Sequence, residues 1–444
     1  MRDPKLIDKF AAALPAAARW LLNELLRIAE PRRVPLYLVG GPLRDLILDR
    51  PSLDIDIAVE GDAPALARQL AKASGSRASI HPAFLTATVR IPGQTPRPGF
   101  HLDLITARSE TYARPGSLPT VKPATIREDL LRRDFTINAV ALRLNGPERG
   151  ELLDPAGGRH DLDSRLVRVL HDRSFQDDAT RILRALRYAT RLGFEIEPQT
   201  LARLERDLRY LDTLSGARLH HEFARIFAEP APEDTLVRLH ETGALCDIHP
   251  ALRFAGEHAE AFADLRELHT TGARSAYWPV LAWGLTESEA ATLARRLALT
   301  RPQRAAVEAM PALQALVAQH LQVRRSRIKR SALAELLSPF PVPTLLAFAA
   351  LTDDASIREC IVDYLTNARS ERPILTGDEL LELGLLEGRD VGEFLRYLRD
   401  ARLDGKMSTR EDEMEAVRGL MRKRLILIER ELRRRGVPPS GDPR

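Results

Sequence analysis

Residues 39–59 read VGGPLRDLILDRPSLDIDIAV. Isoleucine on both sides of Asp56 marks a strand rather than a turn, and side chains alternate along a strand, so Asp54 and Asp56 point to one face. Like charges that close in a β-rich core are costly to leave unpaired, which implies bound metal or a shifted pKa. Upstream, Gly40 and Gly41 can expose backbone N–H groups of the kind that cradle phosphate. Hard-cation oxygen ligands, a glycine-rich approach and no cysteine or histidine cluster point to Mg²⁺ with a nucleoside triphosphate. Phosphoryl transfer is the reaction class expected, and a two-metal arrangement for it needs no protein general base. A third acidic ligand should come from a neighbouring strand. Asp103, in the alternating HLDLITAR, is the first candidate, and Glu110, past the expected strand end, is the second.

Working outward, the segment 36–144 reads as short apolar runs (LYLVGG, LDIDIAV, TATVRI, HLDLITA, FTINAVALRL) broken by Gly and Pro, with helical stretches such as 63–73 between them. From about Leu162 onward a 3.6-residue period takes over. Helix starts are expected at Asp177, Glu233 and Thr286, the last with Glu289 three residues on as in a capping box. Prolines near 198, 230, 250, 302 and 373 divide the helical part, and the terminal GVPPSGDPR reads as disordered. The fold class expected is α+β, a mixed-sheet domain followed by all-helical domains.

At 444 residues the chain should form two to four domains. Hydrophobic residues make up 44%, yet no apolar run approaches the roughly 20 residues that span a bilayer. The first thirty residues mix charges into a helical pattern, unlike a secretory signal, so a cytoplasmic protein is expected. Cys246 and Cys360, far apart, offer neither a disulfide framework nor a zinc site. The net charge of +4 is only mildly basic, but arginine is clustered: at 324–330, at 422–435, and at helical spacing in Arg181, Arg184, Arg187 and Arg191. Each cluster alone reads as a solvated helix face.

The 39–59 stretch resembles the signature of the class II nucleotidyltransferases, the CCA-adding enzymes and bacterial poly(A) polymerases. Further along, RRDFTINA (132–139) resembles their second motif, DPAGGRHDL (154–162) their hinge, and DDATRILRALRYATRLGF (177–194) their nucleotide-selecting helix; residues 375–413 resemble a segment near their C-terminus. The resemblance implies a polymerase beta-like head over 1–150, a helical neck over 151–215, a body over 216–330, a tRNA-binding tail over 331–435 and a disordered end over 436–444. It implies that Asp54 and Asp56 bind the metals and that Gly40, Gly41 and Arg44 contact the triphosphate. Arg132, Arg133, Asp134 and Asn138 would hold ribose and phosphates. Forked guanidinium donors suit phosphate, and an acid beside an amide suits ribose hydroxyls.

In DDATR, Asp178 and Arg181 lie three apart, so on a helix they project from one face. Cytosine and adenine both offer an exocyclic amine beside a ring acceptor, which a carboxylate next to a guanidinium can read. Uracil and guanine put an oxygen against the carboxylate. Asp177 departs from the family's usual glutamate there. The expected activity is template-independent addition of CMP and AMP, from CTP and ATP, to the 3′ end of tRNA. An A-only enzyme, a CC-only enzyme and a poly(A) polymerase are the neighbouring readings, and a non-catalytic RNA-binding protein is the furthest. The segment 109–131 is long enough to hold the flexible loop that A addition requires in the family, which speaks against CC-only. His171, His220 and His221 lack the spacing of a phosphohydrolase site and read as surface or core histidines. With few aromatics, RNA contact should run through phosphate and shape; no membrane contact is expected, and no protein partner can be named.

Overall fold

The computed structural model describes residues 2–50, 54–90, 101–117, 119–268, 272–321, 328–385 and 388–434. It divides into two units, Met1–Phe254 with Arg296–Ala298, and Ala255–Arg295 with Leu299–Arg444.

The first unit opens with helices α1 (Pro4–Ala13) and α2 (Ala16–Ala29), then β1 (Leu36–Val39), α3 (Gly40–Ile47), β2 (Ile55–Val59), α4 (Ala63–Ser74), β3 (Arg77–His81), β4 (Thr86–Arg90) and β5 (His101–Thr106). A hairpin of β6 (Arg108–Thr111) and β7 (Thr120–Pro123) follows, then α5 (Ile126–Leu131), β8 (Ala141–Arg143) and β9 (Leu152–Leu153). Seven strands form one sheet in the order β3-β4-β5-β2-β1-β8-β9, mixed because β2 and β5 run parallel while the other neighbours run antiparallel.

Strand alternation sorts this sheet's side chains. Leu36, Leu38, Ile55, Ile57, Leu102 and Leu104 face a core completed by α1, α2 and α4. Tyr37, Val39, Ala58 and Ala141 face the other way and pack on Ile126 and Leu130 of α5. The core face holds the sheet rigid, and Asp56 and Asp103, at the alternate positions, are left on the opposite side.

Beyond β9 the unit is helical apart from two short strands: α6 (Gly158–Asp163), α7 (Ser174–Asp177), α8 (Thr180–Leu192), α9 (Pro198–Asp207), α10 (Gly216–Phe227) and α11 (Pro232–Glu241). Proline at N1 starts rather than breaks a helix, because its missing N–H is one that the first turn leaves unpaired anyway; Pro198 and Pro232 each open one. Two expected helix starts shift. Glu233 is one residue inside α11, and Asp177 ends the short α7 while α8 begins at Thr180.

The second unit is helical as expected. Thr286 and Glu289 form the capping box read from sequence, with Thr286 N donating to Glu289 Oε2 at 2.9 Å and Glu289 N to Thr286 Oγ1 at 3.3 Å. Near its end, Leu380, Phe394, Leu398 and Val417 make a small core. The buried Glu413 is tied there by the Ile374 and Leu375 amides and by Arg402 at 3.1 Å. Of the arginine clusters, 324–327 and Arg435 lie outside the described residues. Arg330 is bound to Asp363 at 2.6 Å and Arg424 to Asp390 at 3.0 Å, while Lys329, Arg422 and Lys423 are exposed. No single helix among the described residues is long and apolar enough to cross a membrane.

Candidate active site

β2 and β5 pair in parallel with Asp56 opposite Asp103. Asp103 accepts from Thr88 Oγ1 of β4 at 2.6 Å and lies 3.7 Å from His101 Nε2. Asp54, exposed, immediately precedes β2. Burial first, and then the charges of Asp103 and Asp54 working against Arg133, push the Asp56 carboxyl up to about 6. A buried acid crowded by two others is the electrostatic state that a divalent cation relieves, so the residues fit such an ion. Among the described residues no three His, Cys, Asp or Glu side chains are grouped tightly enough to cage one.

Glu110 is placed elsewhere. On the β6–β7 hairpin its carboxylate accepts from Arg132 at 2.7 Å, Arg108 at 3.0 Å and Tyr112 Oη at 2.9 Å. Of the two third-acid candidates, Asp103 is the one in register with Asp56.

Gly40 and Gly41 are the first residues of α3. Gly40 has φ +68°, and a Cβ there would meet the Arg133 Nη1 at 3.0 Å and Asp56 Oδ2 at 3.7 Å. Glycine is required by both the left-handed conformation and the close approach of guanidinium to carboxylate. Arg44, one turn along α3, is 2% exposed. It donates through Nε to Asp45 and through Nη1 to Asn138 Oδ1, both at 2.8 Å.

Arg132 and Arg133 follow the end of α5, whose start is fixed by a Thr125–Glu128 capping box. Both are held by Asp129, fully buried, which takes Arg132 on Oδ1 at 2.7 Å and Arg133 on Oδ2 at 2.8 Å. Burial alone would raise the Asp129 pKa, but the two guanidinium charges and their hydrogen bonds hold it below the usual range. Sequence reasoning missed Asp129, although Arg132 and Arg133 at i+3 and i+4 on a helix are the spacing that finds it.

Asp134 has its lone pairs occupied. Oδ1 accepts from the Phe135 amide and from Asn138 Nδ2, both at 2.9 Å, and Oδ2 takes the fork of Arg184 at 2.6 and 3.0 Å. A carboxylate offers about four such sites, so here Asp134 orders its neighbours rather than presenting a free acceptor to a ribose.

The arrangement of Asp178 and Arg181 differs from a pair on one helix face. Asp178 has extended backbone (φ −141°, ψ 99°) ahead of α8. Its carboxylate accepts from Thr180 N and Oγ1 at 2.9 and 2.7 Å and from Arg218 of α10 at 2.6 Å. Arg181 donates to Ser174 Oγ at 2.7 Å and to the Arg132 carbonyl at 2.9 Å. The short Asp178 side chain bonds the backbone and hydroxyl of Thr180 in place of helical geometry, and α8 begins three residues later than expected. Asp178 and Arg181 nevertheless line one cleft.

Nor is α8 a solvated arginine face. Arg181 and Arg187 are 5% exposed, and the guanidiniums of Arg44, Arg184 and Arg187 sit 5.0, 5.3 and 4.9 Å from the Tyr188 ring centroid. Stacked on one aromatic ring, like charges are kept in place by cation–π attraction. The cleft, about 1460 Å³, has the acidic strand edge and Gly40 on one side and the Arg181–Arg191 face of α8 on another. Asp177 is not among its lining residues. It lies 3.9 Å from His171.

Residues 36–168 match the poly A polymerase head domain, and residues 193–255 match the region described as "Probable RNA and SrmB- binding site of polymerase A". Over 95% of its length the chain is 34% identical to the CC-adding tRNA nucleotidyltransferase of Deinococcus radiodurans, covering 98% of that protein. This chain belongs to the tRNA nucleotidyltransferase family. Within the family it is also 34% identical, over 93% of its length, to the A-adding tRNA nucleotidyltransferase of Geobacter sulfurreducens, though it spans only 48% of that longer relative. The solved structure of a CCA-adding enzyme with CTP superimposes with a TM-score of 0.74 at 27% identity, covering 95% of this chain and 99% of the other. The family is one of metal-dependent nucleotidyltransferases, in keeping with the acidic edge on β2 and β5.

Proposed function

We propose that the chain adds CMP and AMP to the 3′ end of tRNA, taking them from CTP and ATP and releasing pyrophosphate. The observation that carries this reading is the single cleft that places the Asp56–Asp103 edge, the Arg132–Arg133 pair and Asp178 with Arg181 together. Asp54, Asp56 and Asp103 would hold Mg²⁺, which when bound lowers the pKa of the attacking 3′-hydroxyl and neutralises charge on the leaving pyrophosphate. Arg132 and Arg133, preset by Asp129, face the triphosphate, with the Gly40 and Gly41 amides beside them. Arg44, Asn138, Asp134 and Arg184 form a chain of hydrogen bonds joining α3 to α8, which fixes the distance between the phosphate side and the base side. Asp178 and Arg181 read the incoming base. The segment 331–435, carrying the exposed Arg422 and Lys423, would grip tRNA phosphates.

Addition of A as well as C is supported by the β6–β7 connection. A Cβ on Gly116 would lie 2.6 Å from the Thr213 carbonyl, and Arg218, which holds Asp178, also reaches the Gly116 carbonyl at 3.5 Å. The segment expected to matter for A addition thus touches the residue that fixes the base-reading carboxylate. A-only and CC-only addition are the alternative readings, carried by the names of the Geobacter and Deinococcus relatives. The test uses three transcripts, ending at the position before CCA, in CC, and in CCA, each given labelled CTP or ATP. Full CCA addition predicts CMP on the first, AMP on the second and nothing on the third. AMP on the second alone selects the A-only reading, CMP on the first with no AMP on the second selects the CC-only one, and no incorporation on any transcript sinks the assignment.

A further inference from the structure

Among the described residues, three that line the cleft each carry a buried polar atom with no hydrogen-bond partner: Arg187 Nε, Glu222 Oε2 and Thr235 Oγ1. They belong to α8, α10 and α11, which pack on one another, and the residues are 5%, 5% and 1% exposed. Each is otherwise locked. Arg187 is bound by Glu229 at 2.8 Å and lies over Tyr188, and Glu222 Oε1 is reached by Arg225 at 3.5 Å and Arg184 at 3.9 Å. Buried polar groups are rarely left unpaired, because each forfeits its hydration without replacement. Three on residues that line one cleft mark a place for a ligand.

The atoms say what kind. Glu222 Oε2 accepts and repels a lone anion, so a phosphate alone is excluded; Arg187 Nε only donates; Thr235 Oγ1 does either. The complement is an N–H beside a ring acceptor, the edge that cytosine and adenine present and uracil does not; in a tRNA 3′ end under extension the terminal base that carries it is cytosine. Arg187 is six residues beyond Arg181, about 9 Å along the helix axis, too far to serve the same base as Asp178.

We propose that Arg187, Glu222 and Thr235 form a second base-reading subsite, which takes the 3′-terminal cytidine of the primer strand and rejects a terminal uridine. The proposal rests on the reading of the chain as a tRNA 3′-end polymerase, but it is tested by binding, independently of turnover.

The affinity of the full chain is measured for two transcripts identical except for a 3′-terminal C or U, with wild type, Glu222→Gln and Thr235→Val, and the same proteins are assayed for rejection of UTP. Wild type should prefer the C-ended transcript by about tenfold or more. Both variants should bring that preference below about threefold while leaving the rejection of UTP intact. Thr235→Val is nearly isosteric and removes an unpaired hydroxyl, so it should fold and melt no lower than wild type; should Glu222→Gln fail to fold, Thr235→Val decides alone. Equal binding of C- and U-ended transcripts by wild type, or an undiminished preference in Thr235→Val, overturns the subsite. A loss of UTP rejection would assign these residues to the incoming nucleotide and overturn it as well. Failure to incorporate any nucleotide, with the binding preference intact, counts against the proposed activity and not against the subsite.

Discussion

Asp56 and Asp103 stand opposite each other on adjacent parallel strands, and burial together with this neighbour pushes the Asp56 carboxyl up to about 6. Cation binding displaces the proton and relieves the repulsion, so affinity for Mg²⁺ should rise as the pH climbs through about 6. At neutral pH, millimolar Mg²⁺ should raise the melting temperature of wild type relative to EDTA, a saturation of about a hundredfold over Kd being equivalent to about 2.7 kcal/mol. Asp56→Asn should lose most of that increment. Differential scanning fluorimetry with and without EDTA checks it; an equal shift in the variant would place the ion elsewhere.

Asp129 presets both arginines of the second motif. Replacing it with Ala leaves the partly buried Arg133 without its ion-pair partner and Arg132 with Glu110 alone, which should cost about 3 kcal/mol of stability. Asp129→Asn, which keeps the shape, should still fold and raise KM for the nucleotide by about tenfold or more, with tRNA affinity unchanged. Steady-state kinetics with each substrate varied separates the two effects.

Asp134 gives a pH dependence of definite sign. Burial would raise its pKa, but the Arg184 charge and hydrogen bonds from Asn138 and Arg184 hold it well below the usual range. With the folded pKa depressed, its contribution to stability is complete above about pH 4, the unfolded value. That contribution is lost as the pH falls toward the folded pKa. Asp134→Asn should therefore be less stable at pH 7 and lose less on acidification than wild type. Urea melts at a series of pH values measure this, and parallel curves for the two proteins would contradict it.

Strand alternation and the glycine pair made the acidic edge, the mixed sheet and the helical remainder legible in the sequence, because each is a local pattern. Partnerships across elements were not. Nothing near Asp178 announces Arg218, forty residues on, and Asp178 reads as a helix residue although its backbone is extended and its carboxylate holds the Thr180 amide. Arg181, Arg184 and Arg187 read as a solvated face because charge on a helix usually is one; Arg184 and Arg187 instead lie against the Tyr188 ring, and Arg181 is held by Ser174 and the Arg132 carbonyl. Asp134 was expected to meet a ribose, and its saturation by Arg184 depends on how α8 docks on the head, which no local pattern encodes.

Asp178→Ala removes the acceptor proposed to read the base and a hydrogen bond to the first amide of α8. Discrimination against UTP and GTP should relax by about tenfold to a hundredfold, and the lost hydrogen bond should lower stability by about 1 kcal/mol. Arg218→Ala, which frees Asp178 without removing it, should relax selectivity less. Competition assays with CTP against UTP read this; a uniform fall in rate at unchanged selectivity would leave Asp178 a structural residue only.

The central claim, that the β2–β5 acidic edge transfers nucleotides onto tRNA, is tested most directly by single-turnover incorporation of labelled CMP on a transcript lacking CCA. Wild type is compared with Asp56→Asn, and tRNA binding is measured on the same samples. The account predicts that incorporation falls on the order of a thousandfold while affinity for tRNA stays within about twofold of wild type, since the residues proposed to grip tRNA phosphates are unchanged. An Asp56→Asn protein that incorporates CMP at close to the wild-type rate would contradict it.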